Sequence, residues 1–365
     1  MSIAIQRKAS SIHEIFEAGP DTLAKTPGPG VLVTLVHTEG SCYQKAGAQL
    51  YLDPVGRAYG LVSGGCLEQS ILEAAHAVLL GDGAARIETY DSRGPDDIDF
   101  GYGMGCGGKL WILFERVEHD SDLASKVLGP TRQGHSELIV VAADDPAWIG
   151  RRSSLLSHYD QPTWLATPVP HLEQKSSALF TAKTAAGASI TCALYHRPAR
   201  MELAIFGAGP GSWPLASIAR TLGWDVWVYD HRPQLLEDVP SHLARKILFS
   251  RDGDQLSWPS SPLRAAVLMT HSFAVDRLLL SRMLHDTWVY VGLMGSEQRC
   301  RTLLEALASD GQLSESRFLH GPAGLALGGR DPASIALSIV SEIQMALYRG
   351  VPLRKQQEVS IHAAL

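Results

Sequence analysis

Two hydrophobic periods alternate along this chain, and each marks out its own elements. Val31-Leu32-Val33-Thr34-Leu35-Val36 is a near-continuous apolar run, rich in β-branched residues and preceded by Pro27-Gly28-Pro29-Gly30. Such a run between breakers reads as a buried strand. Residues 48–53 read as the next strand, closed by the turn Asp53-Pro54-Val55-Gly56. Leu67, Ile71, Leu72, Ala75, Val78 and Leu79 then recur at helical spacing, which predicts a helix opened by residues 63–66 and stopped by Gly81. Residues 86–90, 110–114 and 137–143 read as further strands. The short segments 163–165, 178–180 and 190–194 are expected to complete a small sheet. Ahead of all these, residues 11–23 carry the spacing of a short amphipathic helix.

Beyond residue 200 the pattern becomes a strand–helix alternation. An apolar strand over 201–206 runs into Gly207-Ala208-Gly209-Pro210-Gly211-Ser212; a helix over 215–222 and a strand over 226–230 follow. This is a βαβ unit with a glycine turn at its first crossover. Strands over 265–269 and 288–293 and a closing helix over 332–348 continue it, with Pro332 suited to a first helical turn. The expected fold is α/β: a mixed α/β domain over 1–198, a Rossmann-like doubly wound parallel-sheet domain over 199–350 and a tail over 351–365. The polar stretch His196-Arg197-Pro198-Ala199-Arg200 is the expected linker.

Composition narrows the classes. The net charge of −6 and the lack of a basic run argue against nucleic acid as a partner. No run is apolar and long enough for a bilayer, and the first residues lack the apolar stretch of a secretory signal, so a cytoplasmic location is expected. The 5 cysteines, odd in number and widely spaced, fit reduced thiols better than a disulfide framework.

The candidate chemistry lies in glycine-rich turns. Phe100-Gly101-Tyr102-Gly103-Met104-Gly105-Cys106-Gly107-Gly108 sets a thiol among glycines, and Ser63-Gly64-Gly65-Cys66-Leu67-Glu68 repeats the theme. Free N–H groups in such loops can form an anion-binding concavity and favour a thiolate. Cys66 is expected near a helix N-terminus, with Glu68 in the first turn. Cys42 sits in a comparable loop, while Cys192 and Cys300 fall within a strand and a helix and are assigned to packing. Two tight turns carrying buried cysteines fit the same residues, and simple dipole compensation fits Glu68. His37 and His76 are possible ligands that fit hydrogen-bonded roles better, and Asp91 to Asp99 reads as a solvated loop. In the second half, Gly207, Gly209, Gly211 and Asp230 occupy positions of a dinucleotide fingerprint. Ser212 replaces its third glycine, and Pro210 removes one N–H donor.

The chain resembles the XdhC/CoxI family. Gly40-Ser41, Gly47-Ala48, Ser63-Gly64-Gly65-Cys66-Leu67-Glu68 and Gly103-Met104-Gly105-Cys106-Gly107-Gly108 resemble its first domain. Phe206-Gly207-Ala208-Gly209, Asp230-His231-Arg232-Pro233, Thr270-His271, Gly292-Leu293-Met294-Gly295-Ser296 and Gly321-Pro322-Ala323-Gly324-Leu325 resemble its Rossmann part. The family's usual arginine near Tyr43-Gln44 is missing, and Pro210 stands where the family often has histidine. The resemblance implies a maturation factor that binds the molybdenum cofactor, supports its sulfuration with a cysteine desulfurase and delivers it to an apo molybdenum hydroxylase of the xanthine dehydrogenase type. It also implies a homodimer. On it, Cys66 and Cys106 are the expected metal-side contacts, with Gly64, Gly65, Gly105, Gly107, Gly108, Glu68 and Cys42 around them. Thiolate suits soft metal centres. The chain shows no flavin, iron–sulfur or molybdopterin-oxidoreductase apparatus of its own. Two other readings stay open: an NAD(P)-dependent oxidoreductase using Gly207, Gly209 and Asp230, and a nucleotide-sensing partner protein without catalysis.

Overall fold

The computed structural model describes residues 6–9, 28–65, 67–81, 83–91, 108–118, 123, 125–127, 134–157, 159–172, 177–253, 256–309 and 318–349. The expected helix over 11–23, Cys66 and the stretch 92–107 with Gly105, Cys106 and Gly107 lie outside them. The chain divides into two compact units, Met1–Pro198 and Ala199–Leu365.

The first unit begins with strands β1 (Gln6–Ala9), β2 (Gly30–Gly40), β3 (Gln49–Leu52) and β4 (Arg57–Gly60), followed by helix α1 (Glu68–Leu80). Strands β5 (Arg86–Asp91) and β6 (Gly108–Val117) complete a six-stranded sheet of order β1-β4-β3-β2-β6-β5. A second, four-stranded sheet follows: β7 (His135–Ala143), β8 (Arg152–Leu155), β9 (Ser177–Lys183) and β10 (Ser189–Arg197), in the order β8-β7-β10-β9.

The near-continuous apolar run of β2 has a physical cause. Val31, Val33 and Leu35 pack with Ile71, Ala75 and Val78 of α1. On the other side Val36 packs with Ile139 of β7 and Ala193 and Tyr195 of β10. A strand covered on both faces has no polar side to show. Each large apolar side chain so buried contributes about 1.5–3 kcal/mol. The β2–β6 ladder carries a bulge between Leu35 and His37.

Some expectations change. Residues 163–165 form a turn with one isolated bridge, Leu165 to Thr184, rather than a strand. His196 and Arg197 belong to β10, where they pair with Ser136 and His135, so the expected linker begins only at Pro198. Cross-strand pairing overrides the polar composition there.

The second unit is a parallel sheet: β11 (Glu202–Phe206), β12 (Asp225–Asp230), β13 (Arg245–Leu248), β14 (Arg264–Leu268), β15 (Tyr290–Leu293) and β16 (Leu319–His320). Its order is β13-β12-β11-β14-β15-β16, the doubly wound arrangement of a Rossmann fold. Helices α2 (Ser212–Thr221), α3 (Pro233–Asp238), α4 (Phe273–Met283), α5 (Glu297–Ser309) and α6 (Pro332–Arg349) complete it. Leu203 and Ile205 face a core shared with α2 and α6, and Ala204 and Phe206 face one shared with α4 and α5. Helix α2 starts at Ser212 rather than Leu215, because Pro214 falls in a first turn, where proline costs no hydrogen bond. No described helix is long and apolar enough to cross a membrane.

Candidate functional site

Three glycine- or cysteine-bearing segments of the first unit meet at one end of its first sheet. Cys42 follows β2, and its Sγ lies beside Gly108, the first residue of β6. Gly108 is therefore a strand residue and not part of the loop the sequence suggests. A Cβ on Gly108 would stand only 2.7 Å from Ser41 O and would collide with the Cys42 sulfur. Glycine is required there by close approach. The Cys42 thiol donates to Glu39 O at 3.4 Å and reaches Lys109 O at 3.8 Å.

Next to Cys42, the Tyr43 ring covers Gly64, where an added Cβ would meet it at 3.1 Å. Gly65 has φ +110°, and its added Cβ would meet nothing within 4 Å. Among the described residues one flank of this turn is thus open, while its conformation still favours glycine. Glu68 fastens the turn from inside the helix. Its buried Oε1 accepts the Ser63 N–H and the Ser63 hydroxyl, both at 2.9 Å, and Gly65 N–H donates to Ser63 Oγ at 3.3 Å. Sequence reasoning reads Glu68 as a dipole or ligand group; the structure shows a carboxylate folded back onto its own turn. The N-cap of α1 is Leu67, which supplies no side-chain cap. The positive end of the α1 dipole therefore lacks a capping oxygen from that position.

Other sequence candidates sit elsewhere. His37 is buried, bonds Ser177 Oγ through Nδ1 at 3.0 Å and lies on Trp111 with centroids 4.9 Å apart. Burial lowers its pKa, opposed by Glu39. Among the described residues, no three metal-ligating side chains converge. Cys192 and Cys300 are core residues whose thiols are pushed up by burial, Cys192 to about 12.

The second candidate is the crevice at the carboxyl ends of β11 and β14, the topological switch point of the parallel sheet. Gly207 has φ +122°, and a Cβ there would stand 2.7 Å from the Met269 carbonyl carbon and closer still to its oxygen. Gly209 faces open space, and Gly211 is the N-cap of α2, again with no side-chain cap. Asp230 is less open than the fingerprint implies. Oδ2 accepts Ala208 N–H at 2.8 Å and Arg232 Nη2 at 2.9 Å. Oδ1 accepts Arg232 N–H and Nε, both at 2.9 Å. A carboxylate has about four acceptor sites, and all are taken within the chain. Burial pushes the Asp230 pKa up, but the Arg232 and Ala208 hydrogen bonds prevail and hold it below the usual aspartate value. Sequence reasoning gives Arg232 no role of its own beyond its place in Asp230-His231-Arg232-Pro233; its position two residues beyond the acid is the available signal.

With this geometry in view, comparison with known proteins is decisive. Residues 23–91 match the family model "XdhC and CoxI family", and residues 203–343 match "XdhC Rossmann domain". A Bacillus subtilis (strain 168) protein, named there a probable xanthine dehydrogenase subunit, is 30% identical over 331 residues, covering 90% of this chain and 96% of that protein. The chain belongs to the XdhC/CoxI family. A further relative is the molybdenum cofactor insertion chaperone PaoD of Escherichia coli (strain K12), 24% identical over 315 residues, covering 86% of this chain and 82% of that one. A crystal structure described as a xanthine dehydrogenase from Bacillus halodurans superposes with a TM-score of 0.67 at 26% identity, covering 93% of this chain and 96% of that one.

Proposed function

We propose that this XdhC/CoxI protein is an accessory factor that carries the molybdenum cofactor to an apo molybdenum hydroxylase of the xanthine dehydrogenase type. The observation that carries the reading is the convergence of Cys42, the Ser63–Gly65 turn and Gly108 at one end of the first sheet. The donor set fits such a cargo. A soft sulfur, a turn with one open flank and a helix N-terminus without a side-chain cap suit a soft metal and an anionic phosphate. Cys66 and Cys106 remain the proposed metal-side thiols, with Gly105 and Gly107 beside Cys106 in the chain. Gly64, Gly65, Gly108 and Cys42 shape the described part of the site, and Glu68 holds its turn. The chain's part is to bind, shield and release; bond making at the metal belongs to the cargo and its partners. Sulfuration by a partner cysteine desulfurase, a homodimer, a cytoplasmic location and separate folding of the two units complete the proposal.

A second reading, a nucleotide-sensing role for the Rossmann unit, is favoured by the open space at Gly209. The saturated Asp230 weighs against an NAD(P)-dependent oxidoreductase.

The test is the molybdenum and pterin content of the protein purified from a molybdate-replete, cofactor-producing host. Retention of both is expected, together with a loss of ten-fold or more in a folded Cys66→Ser/Cys106→Ser variant. Wild-type protein free of molybdenum and pterin, yet able to turn over a nicotinamide cofactor, would overturn the proposal.

A further inference from the structure

The four-stranded sheet of the first unit carries a cavity of mixed polarity that the carrier reading does not use. It has a volume of about 120 Å³ and is lined by His135, Ser136, Leu155, Leu172, Leu194 and His196 among others. That is comparable to an engineered apolar cavity of roughly 150 Å³ that admits benzene. Here the walls mix leucines with imidazoles and serines, so a dry, purely apolar occupant does not match them.

The decisive group is His135. Its side chain is only 2% exposed, yet its Nδ1 has no hydrogen-bond partner among the described residues. Burying a polar atom unpaired costs about 1–3 kcal/mol. The other ring nitrogen fixes the chemistry at Nδ1. Nε2 lies 3.1 Å from Glu137 Oε2, which also accepts the Ser154 hydroxyl at 3.2 Å. Burial disfavours the Glu137 carboxylate, but the His135 hydrogen bond and the charges of Arg152 and Arg197 outweigh it and keep the pKa below the ordinary value. Glu137 is therefore ionised near neutrality and accepts only, so Nε2 carries a proton toward it; in the neutral imidazole the other nitrogen, Nδ1, is the acceptor. His196 shares the cavity wall, and burial lowers its pKa.

We infer that this cavity is a small-ligand site, in which His135 Nδ1 accepts a hydrogen bond from the O–H or N–H group of a ring-sized neutral molecule. The leucine walls take the ring, and the Glu137–His135 pair orients its donor. This site shares no residue with the Cys42–Gly108 end of the first sheet.

Phenol and anisole separate the inference from its rivals, since methylation in anisole removes the donor and keeps the ring. The full-length protein, labelled with 13C at histidine Cε1, is titrated with each and followed by NMR. Saturable movement of the His135 signal is expected at roughly 1–10 mM phenol, the range open to so small a ligand. Anisole should bind at least ten-fold more weakly. Leu172→Trp, which fills the cavity from its rim, should abolish the phenol response. An unmoved His135 signal, an anisole response equal to that of phenol, or phenol binding that survives Leu172→Trp would each overturn the inference. The phenol–anisole pair decides on the wild-type protein whatever the stability of the variant.

Discussion

Each unit contains a glycine turn between a strand and a helix, and each turn is tied down by a buried carboxylate. In the first, Glu68 reaches back five residues to Ser63 from the helix that the turn opens. In the second, Asp230 comes from the neighbouring strand, twenty-two residues beyond Ala208, and is clasped in addition by Arg232. Both helices lack a side-chain N-cap. The difference lies in what stays open. Gly65 faces open space beside Cys42 and Tyr43, whereas the carboxylate a dinucleotide ribose would need is already saturated in the second turn. The same architecture therefore leaves one turn with an open flank among the described residues and clamps the other, and only the bond inventory tells them apart.

The largest effect should come from testing the backbones of the two turns. Gly207→Ala forces a Cβ against the Met269 carbonyl at φ +122° and should cost about 3 kcal/mol or more, or unfold the second unit. Gly65→Ala meets no atom and should cost only about 1–2 kcal/mol of backbone strain. Urea denaturation of the two variants checks the order; equal losses would break the comparison.

Removing the carboxylates should come next. Asp230→Ala strands the Ala208 N–H and the Arg232 guanidinium and should cost about 2–4 kcal/mol, against about 1–3 kcal/mol for Glu68→Ala. Hydrogen-exchange mass spectrometry should place the first loss in residues 199–349 and the second in the first unit.

Acid should act in two stages. Burial lowers the pKa values of His37 and His196 in the first unit and of His231 in the second. The unfolded chain, with histidine near pH 6.5, then binds protons first, so stability is full above about pH 6.5 and declines as the pH falls toward the folded values. Glu137, Asp230 and Glu342 are also held low, by the bonds that outweigh their burial. Their share persists above about pH 4 and is lost below it. Urea midpoints between pH 3 and 8 should show both declines; a flat profile down to pH 5 would remove the histidine stage.

The smallest response is expected from NAD(P). With Asp230 saturated and Pro210 lacking an N–H, calorimetry should give binding no tighter than about 1 μM, the lower end of common enzyme KM values. Tighter binding would mean that the Arg232 clasp opens for ligand.

Much of this fold is legible in sequence because burial writes itself into residue type. The 31–36 run, the helical spacing from Leu67 to Leu79 and the βαβ unit are all dictated by what covers them. Short edge strands are not legible in that way. The strands β8, with Arg152-Ser153-Ser154-Leu155, and β13, with Arg245-Lys246-Ile247-Leu248, exist through pairing to β7 and β12 and carry little apolar signal. The candidate site was half legible. Glycine density drew attention to Gly64, Gly65 and Gly108, but the meeting of Cys42 with Gly108 is a contact across 66 positions that no local pattern encodes. Asp230 reads the same in sequence whether free or clasped, because its partner's role depends on a side-chain rotamer.

The two covered faces of β2 also set a timetable for synthesis. Its ladder partner β6 begins only at Gly108, and the residues that cover Val36 include Ala193 and Tyr195, near the end of the unit. At about 5–20 residues per second, a ribosome leaves that face bare for on the order of ten seconds or longer. Until then the nascent chain carries a strand whose second face is uncovered.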